Sequence, residues 1–493
     1  MQFPDLTIGV VADDLTGASD TALPFFLGHR QTHVIPGKGW QEALNRHQKS
    51  HDALLLGRGA ASENPNVAQA WVVNTQTRHS SAAAAAEMTR EAFLMLRDRL
   101  GVDLFYKKID STMRGQIAAE CLAAVEALGA DCALLVPAFP AQGRQTVGGY
   151  QLVRGLPLER SDVARDPLSP VGHSHVPSLI EDQLTALGSD KSQVGVIELS
   201  TVLHGAGPIL MAIQAQVSAG KKLLIVDAAS TEDLDQIALA LVKSHKNLRL
   251  LPCGAAGFAQ ALVRHWPAVT QQAIPEIHLP NQPTLIVVGS YSQITQRQMD
   301  VLRSQYQHPI STAALTPSQI LGLTPIEPAL DTLILALHRD GVAIVSTVAP
   351  VLPATCPTDL HAPQPPTMTT TSQMSAEGTP LDNYEETLRL AEQHGITHWD
   401  AKLMAQQRLA SLVKAVLDVR PCHLMMCGGE TSFRVCEAIG SHTLEIMAEM
   451  APQVPLMLDD ERRWVMTKSG GFGTADLLLK LLQQLRMPFS EPH

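Results

Sequence analysis

Positive charge is scarce in this chain: 37 Lys and Arg stand against 48 Asp and Glu over 493 residues, a formal net charge of −11. Sequence-independent nucleic-acid affinity requires many cations to neutralise phosphates, so no nucleic-acid partner is expected, and any anionic ligand has to be met by local clusters of Lys and Arg. No CxxC occurs among the seven cysteines, which are odd in number and scattered. Reduced, buried thiols fit that pattern better than a disulfide framework, and a cytoplasmic location is expected with them. The N-terminal MQFPDLTIGVVADDL lacks the basic flank and long apolar run of a signal peptide and reads as a first strand. No charge-free stretch of 18 residues is apolar enough to span a membrane, so no membrane partner is expected. Absent too are the P-loop pattern GxxxxGK[ST], the dinucleotide pattern GxGxxG, the GxSxG elbow and the DxDxT of phosphatase nucleophiles.

What is present is an alternation. With 45% hydrophobic and 17% charged residues, the chain has the composition of a folded globular protein, too long for one ordinary core. Short β-branched or Leu-rich runs alternate with longer helical patterns, which predicts an α/β fold of two domains. Each is expected to be a largely parallel sheet covered by helices, with a ligand cleft between them. In the first half the pattern predicts strands over Thr7–Ala12, Ala53–Leu56, Ala70–Asn74, Leu104–Lys108, Cys132–Pro137, Gln193–Glu198 and Leu223–Asp227, with helices over Ser81–Leu100 and Ile117–Leu128. Prolines in IPEIHLPNQP, residues 274 to 283, break the chain. The N-terminal domain is therefore taken as 1–273 and the C-terminal one as 284–493, opening on a strand over Thr284–Val288. Residues 350–382 are rich in proline, threonine and serine without apolar periodicity, the composition of a surface or disordered insertion. A smaller insertion is expected around 36–70.

Polar residues gather where strands end. VADDLTGASDTA closes an apolar run with Asp13 and Asp14, which could hold a magnesium ion, take a proton from a hydroxyl, or cap the helix that follows. KKIDSTMRG brings Lys107, Lys108, Asp110, Ser111, Thr112 and Arg114 to a strand-to-helix turn, a setting that suits a carboxylate or phosphate because the helix start adds N–H donors. Arg78, in NTQTRHS, follows a third strand, and Asp227 a fourth. In open α/β sheets ligands sit outside the carboxyl ends of the strands, so these groups are expected to line one crevice. A long glycine- and arginine-rich loop, residues 137–171, carries Arg144, Arg154, Arg160 and Arg165 and could serve the site or an oligomer contact such as a homodimer. In the second half GSYSQIT, with Ser290 and Ser292, then GGETS, with Gly428, Gly429, Glu430 and Thr431, and then KSGGFG, with Lys468 and Gly470, each enter a helix through small residues that let a backbone approach a phosphate. His173 and His175 have no partner at zinc-ligand spacing and read as loop histidines.

Taken in order, VADDLTGASDTA, KKIDSTMRG, the 137–171 loop, GSYSQIT, GGETS and KSGGFG resemble the four-carbon acid sugar kinase family over most of the chain. The resemblance implies an N-terminal acid-sugar-binding domain, a C-terminal nucleotide-binding domain, and ATP-dependent phosphorylation of the 4-hydroxyl of threonate, erythronate or 3-oxo-tetronate. It implies substrate contacts at Asp13 or Asp14, Arg78 and Lys107–Ser111, and ATP contacts at Ser292, Gly428–Thr431 and Gly470. PQVP, residues 452–455, departs from the family's commoner PGVP, and Gly471 stands where Asn is frequent. The mechanism expected is that Arg78, Lys107 and Lys108, with Ser111 and Arg114 nearby, hold the sugar acid while Asp14 or Asp110 orients and deprotonates its hydroxyl. The glycine turns grip a triphosphate bridged by Mg²⁺, which Glu430 could reach through water. The alternatives are a non-catalytic sensor of a sugar acid or nucleotide, and a phosphatase-type sugar-acid enzyme.

Overall fold

The computed structural model describes residues 6–37, 39–45, 68–161, 171–244, 247–266, 277, 279–290, 292–347 and 383–486. The expected strand over 53–56, most of the insertion around 36–70 and the whole of 350–382 lie outside them. The first half contains β1 (Ile8–Ala12), β2 (Gln31–Ile35), β3 (Gln69–Asn74), β4 (Leu104–Lys108), β5 (Cys132–Val136), β6 (Arg144–Val147), β7 (Tyr150–Val153), β8 (Leu156–Pro157), β9 (Val194–Ile197), β10 (Leu223–Val226) and β11 (Leu250–Gly254). The second half contains β12 (Thr284–Val288), β13 (Ser311–Ala314), β14 (Val342–Ser346), β15 (His423–Cys427), β16 (Leu444–Ala451), β17 (Val454–Asp459) and β18 (Trp464–Lys468). Strands such as IGVVA and CALLV are buried at every residue, as parallel strands covered on both faces must be.

The two halves share one sheet of 15 strands, in the order β13-β14-β12-β15-β18-β17-β16-β2-β3-β1-β4-β11-β5-β10-β9. From β2 to β9 every pairing is parallel. The C-terminal half is parallel from β13 to β18, then turns antiparallel through β17 and β16. The seam between the lobes is an antiparallel pairing of β16 with β2, where Leu444 faces Val34 and Glu445 faces His33. Gln31 donates to Glu445 across that seam at 2.8 Å.

Local chemistry accounts for the elements that carry the site. Asp14 caps the helix Leu15–Leu27 by accepting from the Gly17 N–H at 3.1 Å. The helix Ala82–Leu100 starts at Ser81 and stops at Gly101, whose φ of 60° is the left-handed conformation that ends helices. In the N-terminal half β2, β11 and the three short strands β6, β7 and β8 of the arginine-rich loop were not predicted. β2, QTHVI, carries polar residues into the sheet, and β11, LLPCG, holds Pro252, which reads as a strand breaker yet sits between two parallel neighbours.

Candidate active site

The sheet order itself assembles the first half of the site. β1 lies between β3 and β4, so the loops after all three strands leave the same edge side by side. Arg78, from the loop after β3, donates through Nε to Asp13 Oδ2 at 2.8 Å, and through its second terminal nitrogen to Asp13 Oδ1 at 3.0 Å and Asp14 Oδ1 at 2.7 Å. It also lies 3.7 Å from Asp110. Burial by itself would lower the Arg78 pKa, but Asp13, Asp14 and Asp110 hold it well above the ordinary guanidinium range. Burial likewise pushes Asp13 up, and Arg78, Lys107 and Lys108 outweigh it, leaving the carboxyl below its usual value.

Asp110 is clamped from its own loop. It accepts from the Arg114 backbone N–H at 3.3 Å, from Arg114 Nε at 2.7 Å and from the Thr112 hydroxyl. Burial opposes its ionisation, yet Arg114 and Arg78 keep it well below the carboxylate range. Lys107 is fully buried, with its ammonium 2.8 Å from Glu120 and from the Lys108 carbonyl. It therefore has no surface to offer a ligand directly. Its charge acts on Asp13 from behind. Lys108 donates to the Ile109 carbonyl at 2.8 Å and sits against Gly17, where an added Cβ would meet its Nζ at 2.9 Å. Ser111 holds the loop through its carbonyl, which accepts from Gln151 at 2.7 Å.

Several expected groups turn out to have structural work. Asp227 is fully buried and accepts from the backbone N–H groups of Gly148, Gly149 and Leu199, which fastens the small β6-β7-β8 sheet to the lobe instead of lining the crevice. That small sheet is the folded form of the arginine-rich loop, and it leaves Tyr150 and Leu156 half-exposed at its outer side. His173 pairs with Asp182, and His175 caps the helix Val176–Ala186. Among the described residues no group of three His, Cys, Asp or Glu could hold a metal ion, and no helix is long and apolar enough to cross a membrane.

The second half of the site is built the same way. β15 lies between β12 and β18, so Gly289–Ser290, Gly428–Thr431 and Lys468–Gly470 leave adjacent strands. Gly428 has a φ of 111° and donates to the Lys468 carbonyl at 2.8 Å, which ties two of the loops together. A Cβ on Gly289 would collide with the Thr431 hydroxyl, and one on Gly470 with Ser290. These glycines are therefore required by the close approach of the loops. Ser292 starts the helix Gln293–Gln305 without a side-chain cap bond, and Thr295 donates to the Gly470 carbonyl at 2.6 Å. Glu430 is engaged by Arg434 one turn on, at 2.9 Å. Lys468 is buried to 1% exposure; it donates to the Ser469 carbonyl at 2.7 Å and has no carboxylate partner among the described residues. Burial pulls its pKa down.

The two halves meet. A Cβ on Gly429 would lie 2.6 Å from Thr16 Oγ1 and 3.1 Å from Asp14 Oδ2. The helix Gly429–Ile439 packs on the helix Leu15–Leu27 of the other lobe, so the first glycine turn faces the aspartate pair across the lobe boundary.

A family model described as a sugar-binding N-terminal domain matches residues 8–262, and one described as a nucleotide-binding C-terminal domain matches residues 285–478. The chain belongs to the four-carbon acid sugar kinase family. It is accordingly a phosphotransferase. Among its relatives, a D-erythronate kinase of Heliobacterium modesticaldum is 34% identical over 299 residues, 60% of each chain. A D-threonate kinase of Salmonella typhimurium is 26% identical over 481 residues, 96% of this chain and 97% of that one. A 3-oxo-tetronate kinase of Burkholderia multivorans is 26% identical over 491 residues, 97% of both. Among solved structures, a Haemophilus influenzae protein of the DUF1537 family superposes with a TM-score of 0.64 at 21% identity, over 97% of this chain and 100% of that one. A Salmonella typhimurium LT2 protein superposes with a TM-score of 0.70 at 22% identity, over 97% of this kinase family member and 99% of that chain. At those identities the superpositions speak for the fold.

Of three further charged residues in the site, Asp20 was not named from the sequence, and Arg144 and Lys468 were named only as members of longer motifs. Lys468 was seen only as the residue opening a glycine stretch. Asp20 lies on the helix that Asp14 caps, among the charges of Lys108, Asp14, Arg144 and Arg78, and Arg144 comes in from the small sheet. Their one common signal was a charge inside or beside an otherwise small, apolar motif.

Proposed function

We propose that this chain uses ATP to phosphorylate the terminal 4-hydroxyl of a four-carbon sugar acid of the threonate, erythronate and 3-oxo-tetronate class. The observation that carries the reading is the close approach of Gly429 to Thr16 and Asp14, a phosphate-type glycine turn set against an acid-bearing strand end. Phosphoryl transfer asks chiefly for positioning and charge neutralisation, and a hydroxyl held at Asp14 would face the end of a triphosphate held at the turn.

Roles follow from what each group has left to give. Asp110 is spent on Arg114 and Thr112 and sits far below the operating pH, so it is a weak proton acceptor and a good organiser of the loop. Asp13 is likewise committed to Arg78. Asp14 keeps Oδ2 toward the glycine turn, and it is the residue proposed to orient the hydroxyl and take its proton. Lys107 with Glu120 fixes this arrangement from the interior, while Lys108, Ser111 and Arg114 flank the acceptor. In the other lobe Ser292, Gly428, Gly429, Thr431 and Gly470 would cradle the triphosphate, with the buried Lys468 as its counter-charge.

Magnesium is ordinarily held by one or two carboxylates together with substrate phosphates, not by an all-protein cage. The donor set fits that pattern, with Asp14 as the carboxylate and Glu430, held by Arg434, as a water-mediated contact. Bound there, the ion would neutralise charge on the β- and γ-phosphates. Because Gly429 lies so close to Thr16 that an added Cβ would stand 2.6 Å from its hydroxyl, admitting both substrates calls for the lobes to part and then close again to exclude water.

A coupled ADP-release assay across the threonates, erythronates and their 3-oxo relatives tests the reading. Turnover with one of them, lost by at least about 10²-fold in Asp14→Asn, is expected for a positioned proton acceptor. Undiminished turnover in that variant, or none in the wild type with any tetronate, would overturn it.

A further inference from the structure

Arg78, Lys107 and Lys108 are expected from the sequence to hold the substrate's carboxylate, yet Arg78 and Lys107 are already paired with carboxylates of the chain and Lys108 is turned onto the Ile109 carbonyl. Arg78 is spread over Asp13 and Asp14, Lys107 over Glu120 and a carbonyl, and Arg114 over Asp110. A kinase for a sugar acid still needs a cation that is not already neutralised by a carboxylate of its own chain.

Arg144 meets that need. It opens β6 and has no carboxylate within ion-pair distance among the described residues, and its Nε is buried with no hydrogen-bond partner. Leaving a charged donor buried and unpaired is costly, so such a group marks the place of a missing acceptor. The charges around it are Asp110, Arg114, Asp20 and Arg154, which puts it at the rim of the Asp14, Lys108 and Asp110 cluster. Its backbone is pinned by a reciprocal pair of bonds with Phe139. The turn at the far end of β6 is pinned by Asp227 through Gly148 and Gly149. The side chain is steadied as well: it donates to the Gln142 carboxamide oxygen, and Gln142 in turn donates to Gln453 of the C-terminal lobe. Gln453 occupies the β16–β17 turn with a φ of 63°, a backbone conformation that favours glycine, so its side chain brings this chain a contact that a glycine at that turn could not.

Building on the kinase reading, we propose that Arg144 is the residue that takes the carboxylate of the sugar acid, held in position from the opposite lobe through Gln142 and Gln453. Asp20, which has no hydrogen-bond or ion-pair partner among the described residues, lies on the same side and is placed to accept a hydroxyl of the same substrate.

The test uses the full chain with erythronate and threonate, and with the uncharged polyols erythritol and threitol, which lack the carboxylate. Arg144→Gln is compared with wild type and with Arg160→Gln, an exposed residue just beyond the same small sheet. Loss of a charge-assisted pair predicts a KM for the tetronate raised about 10- to 100-fold in Arg144→Gln, with the KM for ATP within about twofold. The preference for tetronate over polyol should fall by a similar factor, Arg144→Lys should recover part of it, and Arg160→Gln should behave as wild type. An unchanged tetronate KM, or an equal loss for acid and polyol, overturns the assignment. If the wild type turns over no tetronate, the kinase reading fails, and calorimetric binding of the same acids decides the Arg144 question by itself. Binding that survives Arg144→Gln, or no binding to wild type, counts against it.

Discussion

Gly429→Ala probes the contact on which the functional reading depends. The new Cβ would stand 2.6 Å from Thr16 Oγ1, where ordinary contact begins at 3.4 Å, so the lobes would have to separate by about 0.8 Å at that point or Thr16 would have to rotate away. The backbone of Gly429 is the first residue of a helix and is not left-handed, so alanine suits the C-terminal lobe itself and should favour its helix by about 0.5–1 kcal/mol. The expected result is therefore a split: a melting temperature equal to or above that of wild type, and a kcat/KM lowered by about 10²-fold, the usual cost of a misplacement near 1 Å between reacting groups. Thr16→Ala in the same chain removes the hydroxyl that Cβ would strike. It should restore part of the activity, and only part, because Asp14 Oδ2 is still 3.1 Å away. A double-mutant cycle read by ADP release supplies the coupling. Gly429→Ala with kcat/KM within about twofold of wild type, or a cycle with no coupling to Thr16, would show that the closed contact has no part in the reaction.

Two further variants test neighbouring groups. Burial, assisted by Asp14, raises the Asp20 carboxyl from 3.8 to about 7. The native state then favours the protonated form, a contribution complete below about pH 4 and lost as pH rises through 7. Asp20→Asn should accordingly raise stability at pH 8 by about 1–3 kcal/mol and by much less at pH 4.5, and a gain independent of pH in denaturant titrations would refute the shift. Lys468→Met removes a buried ammonium that lacks a carboxylate, so the ligand-free protein should melt at the same or a higher temperature. The rise in melting temperature that ATP gives wild type should disappear, and its persistence would remove Lys468 from the nucleotide site.

Much of the fold was legible because parallel strands buried on both faces leave unmistakable apolar runs. Leu104–Lys108, Thr284–Val288 and the helix Ile117–Leu128 fall where the pattern predicts them. β2 and β11 escaped because a polar-rich edge of one lobe and a strand containing Pro252 both read as connections. The antiparallel turn through β16 and β17 was equally hidden, since strand direction depends on pairing partners that local composition does not specify. Among candidate groups, Asp227 shows the difference between location and role: it ends its strand as expected, yet its carboxylate is used up by three backbone N–H groups.

The order of residues alone determined which segments become strands and helices, that acids and cations collect at strand ends, and that small residues open three helices in the second half. Those are local matters, governed by periodicity, capping and steric freedom within a few residues. Only the tertiary structure decided which charges remain available. Arg78, Lys107 and Arg114 look like free cations in one dimension and are neutralised by Asp13, Asp14, Glu120 and Asp110 in three, while Arg144 is left with a buried donor unpaired. Electrostatic pairing depends on distances between loops from strands that are far apart in the chain and adjacent in the sheet. The juxtaposition of Asp14 with Gly429, more than 400 residues apart, exists only once β16 has paired with β2.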